Sequence, residues 1–154
     1  NSLKRKPLGS GPHSDGSFFE ASNCIFSDLV ILFGVRRLLT NPVVGNVRLP
    51  FTEYKATFGV KSGYDLTAIS GNHRLVGEAF NVARSLFPAK KRSMIRKLNK
   101  SNKKADYWLI IFNTDAVKRT DYYLKKSEQS MLYLPVDIWA ERDLFEATTS
   151  PNPA

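Results

Sequence analysis

Asp65 and Glu78 are the first residues in this 154-residue chain whose type and spacing could do chemistry. Each sits in a short alternating segment, Tyr64–Ser70 and His73–Val82, and Gly71-Asn72 between them is a hairpin-turn signal. On extended backbone Asp65 shares a face with Thr67 and Ile69, and Glu78 with Val76, Phe80 and Val82. A carboxylate among apolar neighbours is costly to bury unpaired. A divalent cation is one compensation; a salt bridge to a neighbouring basic helix is the other. Two carboxylates and a lysine could hold Mg2+ or Mn2+ through oxygen, orient water and steady the charge growing on a phosphate.

The lysine has to come from the segment C-terminal to Glu78. Between Glu78 and Asp106 stand Arg84, Lys90, Lys91, Arg92, Arg96, Lys97, Lys100, Lys103 and Lys104, with no acid among them. Those nine cations equal the whole formal net charge of +9, so the rest of the chain is near balance. On a helix through this segment, with Phe87 as zero, Met94 falls at about −20°, Leu98 at about 20° and Lys91 at about 40°, inside the apolar stripe, while Lys90 lies at about −60° on its border. Cations in a first turn oppose the helix dipole. Lys91 either reaches the acid pair, with Lys90 as the second choice, or snorkels with its stem on the core and its ammonium in water.

Concentrated positive charge favours a polyanion, with nucleic acid ahead of a membrane surface. Arg84, Arg92, Arg96, Lys97 and Lys100 are the candidate backbone contacts, and a solvated helix face is the alternative. One cysteine, Cys24, excludes an internal disulfide, argues against a cysteine-based zinc site and fits a reducing, cytoplasmic compartment. No membrane span or signal-peptide core is expected. His13 and His73 have no partner at ligand spacing.

The elements that must position these groups follow from periodicity. Residues 17–40 carry apolar residues at helical spacing, with Ser17 and Glu20 as a capping box, and a break near Asn23 would split the helix. Residues 42–50 read as a loop or short edge strand, and 51–60 as a first strand ahead of the two acid-bearing ones. A helix is expected after Arg84, with Ser85 as cap and Pro88 in its first turn. Tyr107–Asn113 is a continuous apolar run that fits a strand buried on both faces. A helix over 116–129 and a strand over 131–139, placed at an edge by Pro135, complete the order. The expectation is one α/β domain over 17–146, a mixed sheet with helices on both faces, flanked by a basic Gly/Ser/Pro tail at 1–16 and a short tail at 147–154.

The order helix, three strands, helix, strand, with Asp65 opening the second strand and Glu78 inside the third, resembles the PD-(D/E)XK nuclease superfamily over roughly Ser17 to Asn113. The usual signature there is an acid, a variable gap, then Glu-x-Lys on the next strand. This chain has Glu78-Ala79-Phe80, so the lysine position is Phe80, and some members place the lysine on the following helix. The resemblance implies a restriction-endonuclease-like core and a metal-dependent endonuclease that hydrolyses DNA phosphodiester bonds, DNA being favoured over RNA. It implies Asp65 and Glu78 as Mg2+ (or Mn2+) ligands, Lys91 or Lys90 as the catalytic lysine, and Glu20 (or Asp28) as a further ligand from the first helix. Cutting both strands would take two sites, hence a homodimer. The alternative on the same fold is a non-catalytic module that binds nucleic acid or protein.

Overall fold

Ser17 accepts a hydrogen bond from the Glu20 backbone N–H, while the Glu20 carboxylate accepts from the Ser17 backbone N–H and hydroxyl. This capping box satisfies donors at the start of a helix and fixes where it begins. The helix, α1, then runs from Phe18 to Thr40 without the break expected near Asn23. The computed structural model describes residues 7, 17–59, 62–100, 104–128, 130–141 and 143. Pro7 apart, the expected tail at 1–16 lies outside the described residues, as does the 147–154 tail.

Gly45, with φ of 60°, turns a small hairpin of β1 (Val43–Val44) and β2 (Val47–Arg48). The first of the three predicted strands shrinks to β3 (Lys55–Ala56). The other two are β4 (Leu66–Ser70) and β5 (His73–Phe80), joined at Gly71, whose φ of 56° is the positive value a tight turn needs. A single 3-10 turn at Arg84–Leu86 leads into α2 (Phe87–Lys100), so Ser85 lies within that turn and does not cap the helix. Then come β6 (Tyr107–Asn113), α3 (Thr120–Lys125) and β7 (Leu132–Val136). Helix α3 is shorter than expected because Val117, Lys118 and Arg119 enter it extended or bent, after a 3-10 turn at Thr114–Ala116.

One five-stranded sheet results, in the order β3-β4-β5-β6-β7. The β3–β4 and β4–β5 pairs are antiparallel, and β5–β6 and β6–β7 are parallel. Parallel neighbours need a crossover, which α2 supplies on one face of the sheet. Leu75, Ala79, Leu109 and Ile111 point to the other face and pack on Val30, Ile31, Phe33 and Leu38 of α1. Val76, Phe80, Ile110 and Phe112 point to the α2 face and pack on Phe87 and Leu98. The central run Leu109–Phe112 is fully buried, as a strand covered by helices on both sides should be.

The expectation that no segment could span a membrane needs a correction. Among the described residues α1 is the one helix long and apolar enough to cross a bilayer, with mean hydropathy of 1.6 over its best window. Its few charges let the average climb. In this fold its residues Val30, Ile31, Phe33 and Leu38 pack on the sheet, while Phe18, Phe19, Ile25, Leu32 and Leu39 remain exposed.

Candidate functional site

Leu66 pairs with Gly77 as the last rung of the β4–β5 ladder. Asp65 stands just before that rung, and Glu78 just after Gly77 on the face covered by α2. The Asp65 carboxylate is anchored there by the Ala79 backbone N–H, which donates to Oδ2 at 2.8 Å. The two acids are therefore neighbours across the strands, close enough for the charge of one to act on the other.

Glu78 is 1% exposed. Its Oε2 accepts from Lys97 Nζ at 2.7 Å, while Oε1 is buried with no hydrogen-bond partner. Burial pushes the Glu78 carboxyl up to about 7; the Lys97 hydrogen bond opposes that shift, and the neighbouring Asp65 carboxylate adds to it. Glu78 is thus poised between its neutral and charged forms near neutral pH. Lys97 reaches it from α2 with its own side chain 44% exposed, so the ammonium bridges a sealed carboxylate and solvent.

The α2 lysine that meets Glu78 is Lys97, not Lys91. From Phe87 as zero, Lys97 falls at about −80°, on the same border of the stripe as Lys90, and Lys91 lies about 120° away. The acids lie under the first border. Lys91 lies against α3 instead, its Nζ 5.3 Å from the Tyr123 ring centroid and 6.0 Å from that of Phe87. There burial, with the nearby charges of Lys126 and Arg92, lowers the pKa of its ammonium. Lys97, expected as a backbone contact, is held in the ion pair.

Lys90 and Asp65 line a common cleft of about 310 Å3 with Asp28, Ser27, Cys24 and Asn81. The cleft opens where α1 passes the end of β5, and Glu78 is not among its lining residues. Asp28 is partly engaged, since its Oδ1 accepts from the Gly59 N–H at 2.9 Å. Glu20 stays in its capping box, and hydrogen bonds from Ser17 hold its carboxyl below the usual range. It is a helix-start residue in this structure, and nothing joins it to the acid pair. Asn113, at the end of β6, accepts from the Val82 N–H through Oδ1 and so secures the strand exit.

No family model, curated protein or solved structure matches the chain.

The case for a metal rests on the donors themselves. Among the described residues no group of three or more His, Cys, Asp or Glu gathers as a ligand set. Mg2+ asks for less: one or two carboxylates, with waters and substrate phosphate oxygens completing the shell. Asp65, on the cleft, and Glu78, whose buried Oε1 has no hydrogen-bond partner among the described residues, are the candidate carboxylates. Around them the surface is basic. Arg84, Lys90, Arg92, Arg96 and Lys100 are exposed, and Ser93, Arg96, Lys97 and Lys100 line an open groove of about 370 Å3 along α2, next to the ion pair.

Proposed function

We propose that this protein is a metal-dependent endonuclease that hydrolyses DNA phosphodiester bonds on a restriction-endonuclease-like core. The observation that carries the reading is the Asp65 carboxylate held by the Ala79 N–H, beside Glu78 and close enough to act on its charge, with the Lys97 ammonium 2.7 Å from Glu78. The mixed five-stranded sheet with helices on both faces, and the parallel β5–α2–β6 crossover within it, support the reading.

Asp65 and Glu78 would hold Mg2+ or Mn2+, which supplies charge neutralisation at the phosphate and acidifies water. Lys97 holds Glu78 in place and carries a positive charge to the edge of solvent, where it can meet a phosphate oxygen. Lys90 faces the Asp65 cleft from the same helix border and is the second cation near the reacting group. Arg92, Arg96 and Lys100 track the phosphate backbone along α2. A second reading, a nucleic-acid-binding module without cleavage, draws on the same ion pair, because Lys97 already offsets part of the Glu78 charge with no metal.

Plasmid nicking separates the two. The purified chain is expected to relax supercoiled DNA with Mg2+ or Mn2+, to stop in EDTA, and to lose activity in Asp65→Ala. Activity that persists in that variant overturns the assignment. Salt-sensitive binding that ignores EDTA, with no nicking, establishes the binding module.

A further inference from the structure

A second basic surface lies across α2 from the acids. Phe87 and Pro88 at the start of α2, Ala116 and Val117 before α3, and Tyr122 and Tyr123 within it form an open groove of about 380 Å3. Its lining is mostly apolar, and its charged members are Arg84, Lys118 and Arg119; no carboxylate lines it among the described residues. Tyr122 is 50% exposed, and it packs at right angles to Tyr123. Lys126 Nζ lies 5.8 Å from the Tyr122 centroid and Lys91 Nζ 5.3 Å from that of Tyr123. Among the described residues neither lysine has a carboxylate partner, and Lys126 contributes to the lowered pKa of Lys91.

We infer that this groove binds an unpaired nucleobase of a DNA strand, with the base on Tyr122 and the flanking phosphates on Arg84, Lys118 and Lys126. Aromatic rings offer every base a sequence-tolerant stacking surface, and clustered cations supply the backbone charge it needs. Charge selects the occupant: Arg119 is paired with Asp121, which leaves Arg84 and Lys118 beside an apolar floor, and that combination complements a base joined to phosphates. The inference rests on the nucleic-acid reading of the preceding subsection but not on cleavage.

The test is fluorescence anisotropy on the full chain with labelled oligo-dT, the same backbone carrying abasic sites, and a hairpin duplex. Tyr122→Ala is expected to weaken oligo-dT binding about tenfold while leaving duplex binding unchanged, and Tyr122→Phe to restore it. The wild type should bind the abasic strand as weakly as Tyr122→Ala binds oligo-dT. Equal affinity for abasic and base-bearing strands overturns the groove, as does an equal loss of single-strand and duplex binding. Failure of the wild type to bind any of the three probes would instead sink the nucleic-acid reading. Tyr122 is half exposed, so circular dichroism of the alanine variant should match that of the parent.

Discussion

Lys97 Nζ and Glu78 Oε2 meet at 2.7 Å, tying the solvent side of α2 to a carboxylate that the sheet has almost closed over. Breaking such a pair from the lysine side leaves a charge in a low-dielectric site, which typically costs about 3–5 kcal/mol when both partners are buried. Lys97 is half exposed and Glu78 can take up a proton, so the cost here is smaller. Lys97→Met is expected to destabilise by about 1–3 kcal/mol at about pH 8, and by less at about pH 5 where Glu78 is neutral. Urea melts at the two pH values check it; equal losses would mean the pair carries no charge energy.

Glu78 also sets the sign of a pH effect. Its folded pKa, about 7, stands above its ordinary value of 4.5, so the folded state binds the proton more tightly than the unfolded chain does. Below about 4.5 both states are protonated and no penalty applies. As pH rises from there through 7, the folded state loses up to about 3 kcal/mol on this group's account, since each pKa unit corresponds to about 1.4 kcal/mol. In EDTA, metal-free protein should therefore weaken over that window, and Glu78→Gln should flatten the profile. A wild-type profile that rises across the window contradicts the assignment.

Metal binding has a readout independent of activity. A cation that binds only the folded state at about a hundred times its dissociation constant adds roughly 2.7 kcal/mol of stability. Mn2+ is expected to raise the melting temperature of the wild type, and of Lys91→Met equally, but not that of Asp65→Asn or Glu78→Gln. An unchanged melting temperature in the wild type would remove the metal from the proposal.

How α1 meets the sheet supplies a test of the scaffold. A Cβ on Gly34 would come within 2.9 Å of two Ile111 carbons, on the central strand. Overpacking of this kind costs about 1–3 kcal/mol. Gly34→Ala should lose that much in a denaturant melt, and pairing it with Ile111→Val should recover part of it. A neutral Gly34→Ala would show that α1 can stand off from β6.

Much of this architecture is written in local patterns. Ser17 with Glu20, the turn at Gly71, and the apolar run from Tyr107 to Asn113 each specify their element through nearby residues, and each stands where expected. Strand parity alone tells which face each of Asp65 and Glu78 shares with its neighbours, and the Ala79 N–H on the Asp65 carboxylate adds that the two are neighbours across the strands. The lysine is not legible in the same way. A helical wheel puts Lys90 and Lys97 on one border of the apolar stripe and Lys91 near the other, but which border meets the acids depends on how α2 crosses the sheet. That is a tertiary fact, and the aromatic pair Phe87 and Tyr123 decides it by taking Lys91. Segment lengths fail for a related reason: 51–60 alternates well enough for a strand, yet among the described residues only Lys55 and Ala56 pair as strand, while the Thr57 N–H donates to the Asp65 carbonyl and the Gly59 N–H to Asp28.

The two outer strands have a consequence for assembly. β3 offers a newcomer just two residues, one of them a lysine, and β7 carries Pro135, which has no amide hydrogen to give. Both rims of the sheet are thereby blunted against strand-by-strand growth. Strand addition at either rim is disfavoured, which steers contacts between copies of this chain toward its helices and loops.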